Sequence, residues 1–339
     1  MISDLIDRLP SAILRSMSLT RFHTAAVIGT GMMGPGIAVT LALGGVPAVI
    51  VSRTSETATR GLDAAHAHLR SLAKNGLAEV DAATQAAAAL SASSDFDAAI
   101  AHVDLVIEST PENMAFKQEL FARMDGVARP DAVLASNTSG LSITAIASAC
   151  SRPERVLTTH FWNPAHLMPL VEIVRGERTL PEAVSRVREL LVACGKTPVV
   201  VKKDRPGQLG NRLQMALVRE AVHIVAEGIA DVEDVDTVAK KGFGLRFPAY
   251  GIFEHQDAVG LDMALSINEY VSGDLYNLPH APDYYHAMVA RGDLGVKTGK
   301  GFYDWSKKSI AEVKARRDRF IIEFLRSEKA ASRSSSSPD

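Results

Sequence analysis

The chain has 339 residues, of which 47% are hydrophobic and 22% charged, and its 37 basic and 39 acidic side chains leave a formal net charge of −2. This composition is too apolar for an intrinsically disordered chain and lacks the strong positive charge of a nucleic-acid-binding domain. At roughly 100 to 200 residues per domain, the length favours two domains. Two cysteines, Cys150 and Cys194, are too few for a disulfide framework. We therefore expect reduced thiols in a cytoplasmic protein.

The first feature along the chain is an uncharged stretch at residues 25–52. As a helix it is long enough to cross a bilayer of about 30 Å. Glycines and prolines interrupt it repeatedly, however, and this pattern favours a buried strand, a turn, a buried helix and a second buried strand. We therefore expect no membrane span. The preceding residues 1–22 have scattered charges and form an N-terminal extension that does not look like a secretory signal.

Within the uncharged stretch, the motif G-x-G-x-x-G follows the first predicted strand and opens the first predicted helix. Gly29 allows a tight turn, Gly31 allows the backbone to approach a pyrophosphate, and Gly34 allows close packing of the helix on the strand. The anion would then lie at the N-terminus of the helix. The motif predicts a dinucleotide-binding site, and Met32 and Met33 lie in the same loop.

The end of the second predicted strand is where such domains read the adenosine ribose. An acidic residue there binds both ribose hydroxyls and repels a 2′-phosphate, whereas a small residue followed by arginine favours the phosphate. The residues here are Ser52, Arg53 and Thr54, with no acid before Glu56. Arg53 is therefore a candidate for binding the 2′-phosphate of NADP. The alternative is a solvated arginine at the edge of the site.

Short apolar runs alternate with helical patterns over the first two hundred residues or so, which is typical of a parallel α/β sheet. The predicted strands are residues 25–28, 48–51, 105–107, 133–135, 156–159, 171–174 and 199–201. The predicted helices between them include residues 56–74, 116–127, 144–149 and 182–193, and the alanine-rich residues 82–90 are predicted to be a helical connection. The fold class expected is an α/β Rossmann-like doubly wound sheet followed by an all-α C-terminal domain.

After residue 201 the strand-like runs stop at a charged, turn-rich segment, and residues 209–229 and 232–240 have helical spacing. We expect a NAD(P)-binding domain at residues 23–204 and a helical domain for substrate binding and dimerisation at residues 205–325. Residues 326–339 are rich in serine and are predicted to be a disordered tail.

A histidine and a glutamate on consecutive predicted strands are candidates for catalysis. His160 follows the strand at 156–159, Glu172 lies in the next strand, and a turn at 164–169 would place the two strands side by side. A histidine held by a carboxylate is a general base that works near neutral pH. The spacing alone leaves a purely structural pair open. The other histidines, among them His66, His68, His102, His223 and His255, have no spacing typical of metal ligands, and we expect no metal site.

Several segments together are distinctive: GTGMMGPGIA at 29–38, ESTPENMAFK at 108–117, SNTS at 136–139, HFWNP at 160–164, PLVE at 169–172, NR at 211–212 and GVKTGKGFY at 295–303. In this order, over about residues 24–305, they resemble the L-3-hydroxyacyl-CoA dehydrogenases, a family that includes 3-hydroxybutyryl-CoA dehydrogenases and crystallin-like, carnitine dehydrogenase and gulonate dehydrogenase relatives. The resemblance implies NAD as cofactor, a role in fatty acid metabolism and a homodimer formed through the helical domain.

The resemblance also implies roles for individual residues. His160 would take the proton of a 3-hydroxyl while hydride leaves for the nicotinamide, and Glu172 would orient the ring and stabilise the imidazolium. Ser139 and Asn211 would hydrogen-bond substrate or cofactor around the reacting oxygen. Asn163 would fix either its loop or the substrate.

For the cofactor, the resemblance implies that Glu112 and Lys117 flank the nicotinamide ribose and that Asn137 belongs to the same site. The alternative for Glu112 and Lys117 is an acid at a helix start and a solvated lysine. Binding of CoA needs cations for its phosphates. Arg70 and Lys74, on the helix after the second strand, are candidates, although a solvated helix face explains them equally well.

The sequence also departs from the family. The family usually has an acid where Ser52 or Arg53 stands, which puts the preference for NAD in doubt. Trp162 either narrows the acyl pocket or simply packs, and Gln208 stands where an aromatic or apolar residue is expected.

Three functions remain open at this stage. The first is an NAD(P)-dependent 3-hydroxyacyl-CoA dehydrogenase with its substrate in a cleft between the two domains. The second is a dehydrogenase of a hydroxy acid or small alcohol without CoA, and the third is a nucleotide-binding structural or sensing protein. Retention of both His160 and Glu172 counts against the third.

Overall fold

A central sheet of eight strands organises the computed structural model, which describes residues 22–335. The predicted N-terminal extension therefore lies almost entirely outside the described residues. The chain forms two compact units. One unit extends to Asn211 and takes up the chain again at Arg317, and the other is Arg212–Arg316.

The strands lie in the order β3-β2-β1-β4-β5-β6-β7-β8, and β7 runs antiparallel to β6 while all other neighbouring pairs are parallel. The strand order reverses at β1, between β2 and β4, which is the position where doubly wound sheets bind ligands. The strands are β1 Ala25–Ile28, β2 Ala48–Val51, β3 Leu90–Ser93, β4 Leu105–Glu108, β5 Val133–Ser136, β6 Val156–Phe161, β7 Leu170–Arg175 and β8 Thr197–Val201.

Helices cover both faces of this sheet. Those of the first unit are α1 Gly34–Leu43, α2 Ser55–Lys74, α3 Val80–Ala88, α4 Phe96–Ile100, α5 Met114–Val127, α6 Ile143–Ala147 and α7 Pro181–Ala193. The chain continues with α8 Gly210–Ala226, α9 Val232–Lys241, α10 Phe243–Arg246, α11 Ile252–Val259, α12 Leu261–Ser272, α13 Asp283–Ala290 and α14 Ile310–Ser335.

Alternating residues of the strands divide the core into two apolar clusters. Ala25 and Val27 of β1 belong to the cluster that includes α1, α2, α3 and α7. Ala26 and Ile28 belong to the cluster that includes α4, α5 and α6. Because both faces are covered, the central strands are apolar at every position, which is the reason that the sequence predicted them as continuous apolar runs.

The expected α/β doubly wound sheet with a following helical part is confirmed. The strand β3 Leu90–Ser93 was not predicted. Its sequence, LSAS, has only Leu90 buried, and such an edge strand of small polar residues has no apolar run to reveal it.

The prediction of disorder from residue 326 onwards is wrong for the described part of that segment, since α14 continues to Ser335. Ile321 and Ile322 pack against the core of the first unit. Because the apolar face of α14 packs on this core, the helix continues into a segment whose serine-rich composition predicted a disordered tail.

The second unit is helical and buries little of its apolar surface. None of the residues of α9, α10, α11 and α12 is buried. Among the hydrophobic residues of Arg212–Arg316, which is described throughout, only Val222 and Met288 are buried. Between residues 22 and 335 no helix combines the length and the apolar character that a membrane crossing requires.

Candidate active site

The glycine loop after β1 forms a turn that admits no side chain at two of its glycines. Gly29 has a φ of 110°, and a Cβ there would lie 2.3 Å from the carbonyl oxygen of Ser109. A Cβ on Gly34 would lie 1.9 Å from the carbonyl oxygen of Gly29. At Gly31, in contrast, a Cβ would meet no protein atom within 4 Å. The first and third glycines are thus required by the fold, whereas the second borders open space.

That open space lies beside the N-terminus of α1. The preceding residue, Met33, makes no side-chain capping bond, and the first turn of α1 has no acidic residue. Free backbone N–H groups and the positive end of the helix dipole favour an anion at this place. Met32 is exposed beside it. The geometry of the loop therefore fits the pyrophosphate of a dinucleotide.

The carboxyl ends of the neighbouring parallel strands lie at the same edge. Strand pairing aligns Ile28 with Glu108, Glu108 with Ser136, and Ser136 with Thr158. The loops after β4 and β5 therefore lie at the same edge of the sheet as the glycine loop. His160 lies near the end of β6, two residues beyond Thr158 and towards the same edge.

His160 and Glu172 face each other directly in the antiparallel pair of β6 and β7. The Nδ1 atom of His160 lies 2.7 Å from Oε2 of Glu172. Both side chains are buried. The same carboxylate oxygen accepts a hydrogen bond from the indole N–H of Trp162 at 3.2 Å.

The second oxygen of Glu172 is bound by the backbone. Oε1 accepts hydrogen bonds from the N–H groups of Leu209 at 3.0 Å and Gly210 at 2.8 Å, where α8 begins. Burial raises the pKa of Glu172, but the hydrogen bonds from His160 and from the Gly210 backbone outweigh it and hold the pKa below its ordinary value. Glu172 is therefore ionised at neutral pH and acts only as an acceptor, so Nδ1 of His160 carries the proton of this bond.

Ser139 and Asn211 lie together. The side-chain amide of Asn211 donates to the carbonyl oxygen of Ser139 at 2.6 Å. Gln208, in the loop before α8, donates through Nε2 to the carbonyl oxygen of Thr138 at 2.7 Å. Asn163, in contrast, is exposed, and the structure assigns it no side-chain hydrogen bond to another described residue.

Glu112 belongs to the same group of loops. Its carboxylate accepts hydrogen bonds from the hydroxyl of Thr138, at 2.8 Å to Oε2, and from the backbone N–H of Ser139. Asn137, two residues earlier than Ser139, uses its side-chain oxygen to accept the N–H of Phe161 at 2.9 Å. It thereby ties β5 to the strand that carries His160.

Lys117 is not the solvated lysine of the alternative interpretation, because it is 1% exposed. Its ammonium donates to Oε1 of Glu108 at 2.6 Å and lies 3.9 Å from Oε2 of Glu112. The other oxygen of Glu108 accepts the hydroxyl of Ser136 at 2.6 Å. Glu108 thus links β4, β5 and α5 directly beneath the loops of the site.

Two residues of this arrangement were missed from the sequence. Glu108 has a recognisable signal, an acid that closes an apolar strand nine residues before a lysine. Trp162 was considered only as a wall or packing residue, and nothing in the sequence indicates that its indole N–H contacts Glu172. Of the residues considered for CoA, Arg70 and Lys74 are exposed on α2. Across residues 22–335 no cluster of three or more His, Cys, Asp or Glu side chains is placed to hold a metal ion.

Comparison with known families gives matches over most of the chain. Residues 24–205 match the NAD binding domain of 3-hydroxyacyl-CoA dehydrogenase, and residues 207–305 match its C-terminal domain. The 5-formyl-3-hydroxy-2-methylpyridine 4-carboxylate 5-dehydrogenase of Mesorhizobium japonicum is 34% identical over 89% of this chain and 96% of its own length. A probable 3-hydroxybutyryl-CoA dehydrogenase of Bacillus subtilis is 38% identical over 84% of this chain and 97% of its own.

Solved structures agree with these matches. A 5-formyl-3-hydroxy-2-methylpyridine 4-carboxylic acid 5-dehydrogenase, described as an NAD+ dependent dismutase, superposes with a TM-score of 0.84 at 33% identity and covers 90% of this chain and 98% of that one. The (S)-3-hydroxybutyryl-CoA dehydrogenase of Ralstonia eutropha superposes with a TM-score of 0.70 at 32% identity, covering 84% of this chain and 99% of that one.

Substitution of Gly31 separates cofactor binding from folding. Because Gly31 borders open space, Gly31→Val changes the free energy of unfolding by less than about 1 kcal/mol, while its side chain fills the space in which the pyrophosphate binds and weakens NAD binding at least about 100-fold. Calorimetric titration with NAD and chemical denaturation measure the two quantities. The control Gly34→Val clashes with Gly29 and lowers stability itself. Unchanged NAD affinity in Gly31→Val would show that the cofactor lies elsewhere.

Proposed function

Because the chain belongs to the 3-hydroxyacyl-CoA dehydrogenase family, we propose that it transfers a hydride between NAD and the 3-hydroxyl or 3-keto carbon of a 3-hydroxyacyl-CoA. It is an NAD-dependent oxidoreductase that acts on CH–OH groups. The acid/base pair in this proposal is His160 and Glu172. The observation that carries it is the 2.7 Å contact between Nδ1 of His160 and the buried carboxylate of Glu172.

His160 acts through its other ring nitrogen. Because Nδ1 keeps its proton and donates it in a hydrogen bond to Glu172, the neutral ring has Nε2 unprotonated and able to accept the proton of a substrate hydroxyl. Bound NAD supplies the hydride chemistry. In the opposite direction the protonated ring donates from Nε2 to the substrate carbonyl, so that one nitrogen serves as base and as acid.

Glu172 acts on the ring and does not touch the reacting atoms. Its negative charge stabilises the imidazolium that forms when His160 accepts a proton. The backbone N–H groups of Leu209 and Gly210 hold the other carboxylate oxygen in place. The carboxylate cannot rotate without breaking these bonds, and the orientation of the histidine ring is fixed with it.

Ser139 and Asn211 would bind around the reacting oxygen. The amide of Asn211 is held by the carbonyl of Ser139, which leaves the Ser139 hydroxyl and the Asn211 side-chain oxygen for ligand contacts. In the same proposal Asn163 contacts the substrate from its exposed position after β6.

The cofactor would be held by the glycine loop, with Ser52 beside the adenosine ribose, Arg53 beside the 2′ position of that ribose and Glu112 at the nicotinamide end. Gly29, Gly31, Met32, Met33 and Gly34 form the loop. Lys117 would act through the carboxylates of Glu108 and Glu112, since its ammonium is buried against the first and close to the second. Asn137 would contribute by positioning the chain at Phe161.

A second substrate class is favoured by one observation, the TM-score of 0.84 with an enzyme whose substrate is a pyridine carboxylic acid without CoA. The same His160, held by Glu172, would then deprotonate a hydroxy acid, a small alcohol or the hydrate of an aldehyde. Arg70 and Lys74 separate the two classes, because only a CoA substrate brings phosphates to these cations. The double charge reversal Arg70→Glu, Lys74→Glu raises KM for acetoacetyl-CoA if CoA is bound and leaves KM unchanged for a substrate without CoA.

Replacement of His160 by asparagine tests the proposed chemistry. His160→Asn keeps a polar side chain but removes the base, and kcat falls by about 10²- to 10⁴-fold while NAD binds as before. The measurement is NADH formation with 3-hydroxybutyryl-CoA, together with titration of NAD. Full turnover in the variant would remove His160 from the mechanism, and absence of turnover of acyl-CoA substrates by the unaltered enzyme would remove the CoA assignment.

We also propose that the second unit pairs with a second copy of the chain. Its surface has large exposed side chains on α11 and α12, with Phe253 83% and Tyr270 90% exposed, and Leu261, Met263 and Ile267 also uncovered. A unit in which so few hydrophobic residues are buried needs a partner to cover them. The resemblance to the family supports a homodimer as that partner.

The double substitution Phe253→Asp, Ile267→Asp tests this interface. Charges on the apolar surface oppose its burial, so the altered protein sediments as a monomer where the unaltered protein sediments as a dimer. The matched control is Val80→Asp, an exposed apolar residue of the first unit at 68% exposure. A dimer that persists with both substitutions would place the interface on another surface.

A cytoplasmic location and a role in fatty acid metabolism belong to the same proposal. Both cysteines are free. Burial raises the pKa of Cys150 to about 12 and that of Cys194 to about 11. Thiols of this kind remain protonated and unreactive. Two free cysteines without a disulfide suit a reducing compartment.

A further inference from the structure

We propose that the cofactor site also binds NADP, with the 2′-phosphate held by the guanidinium of Arg53 and the hydroxyl of Ser52. The inference rests on dinucleotide binding at the glycine loop and not on the identity of the substrate. It assigns a second cofactor to a chain whose matching family model and one similar solved structure are described with NAD.

The first observation is that no carboxylate stands at the end of β2, the position that contacts the adenosine ribose in such domains. β2 ends at Val51, next to β1 and the glycine loop, and the following residues are Ser52, Arg53 and Thr54. An acid at this point would accept hydrogen bonds from the 2′-hydroxyl and repel a 2′-phosphate. A serine hydroxyl donates to either group, so the main barrier to a 2′-phosphate is missing.

The second observation is that hydroxyl groups fill this position and orient one another. Oγ of Ser52 lies 2.7 Å from Oγ1 of Thr57, and Oγ1 of Thr54 lies 2.9 Å from the same Thr57 atom. Oγ1 of Thr30, in the glycine loop, lies 3.4 Å from Oγ of Ser52. The hydroxyl cluster is neutral, and it connects the start of α2 to the pyrophosphate loop.

The third observation concerns the charges around the cluster. Glu56 is the nearest acid along the chain after Arg53, and its carboxylate is already bound by Arg60 at 2.5 Å on the exposed surface of α2. Arg53 is exposed, and within residues 22–335 the structure assigns it no ion-pair partner. The surroundings of Ser52 therefore have an unneutralised positive charge. A guanidinium binds phosphate with two parallel hydrogen bonds, which gives it a function here that NAD does not use.

The alternative is that Arg53 is an ordinary solvated arginine and that the site binds NAD alone. In that case the 2′-phosphate gains no contact on binding and loses its hydration, so that NADP binds much more weakly than NAD. The two cases thus differ in affinity, and affinity is measured without turnover.

The experiment is calorimetric titration of the protein with NAD, with NADP and with 2′,5′-ADP, a fragment that carries the 2′-phosphate. We expect the Kd for NADP to lie within about tenfold of that for NAD, or below it. In Arg53→Ala, NADP and 2′,5′-ADP lose at least about tenfold in affinity while NAD changes by less than about twofold. Ser52→Asp restores the acid and weakens NADP at least about 100-fold with NAD retained.

Arg188→Ala, at another exposed arginine of the first unit on α7, is the matched control and leaves all three affinities unchanged. NADP binding more than about tenfold weaker than NAD in the unaltered protein overturns the proposal. An equal loss of affinity for NADP and for NAD in Arg53→Ala overturns the assignment of Arg53 to the 2′-phosphate. Because NAD is titrated in every variant, a failure of the whole dinucleotide site is distinguished from a failure of this proposal, and neither result depends on the substrate.

Discussion

The carboxylate of Glu172 is the group on which the arrangement of the site depends. It accepts four hydrogen bonds, from the His160 ring, the Trp162 indole and the backbone N–H groups of Leu209 and Gly210. A buried carboxylate without such donors would gain a proton and lose its charge. With them its pKa stays low, and the ionised group holds both the strand that carries His160 and the first residue of α8.

A second buried acid has a similar role beneath the cofactor loops. Glu108 is fully buried, yet the Lys117 ammonium and the hydroxyls of Thr110 and Ser136 bind its two oxygens. Lys117 lies on α5, Ser136 ends β5 and Thr110 lies in the loop after β4, so the carboxylate joins these segments at the edge where the glycine loop also lies. Removal of the Lys117 ammonium would leave the buried charge of Glu108 without its counter-ion, a change that typically costs about 3–5 kcal/mol. Such a site tolerates substitution at its exposed residues far better than at these two acids.

Most of the sheet could be predicted because its central strands are buried on both faces and therefore apolar at every position. The edge strand β3 could not be predicted, because its sequence, LSAS, contains too few apolar residues. The helical order at the end of α14 could not be predicted either, because it depends on the packing of Ile321 and Ile322 against residues distant in the chain. The glycine loop could be predicted because the backbone leaves no room for a side chain at Gly29 and Gly34, so that the fold requires glycine at both positions. The pairing of His160 with Glu172 could be predicted because a short turn joins the two strands that carry them. The contacts of Trp162 and Lys117 could not be predicted, because a sequence shows the residue type but not which atom its polar group reaches.

The central claim is that Glu172 fixes the proton of His160 on Nδ1 and leaves Nε2 as the base. The nitrogen NMR spectrum of histidine-labelled protein, recorded above the pH at which the ring is protonated, tests it most directly, with Glu172→Gln as the variant that assigns the His160 signals. The account predicts a protonated Nδ1 and an unprotonated Nε2 in the unaltered protein, and loss of this preference in the variant. A proton on Nε2 with a bare Nδ1 in the unaltered protein would contradict it.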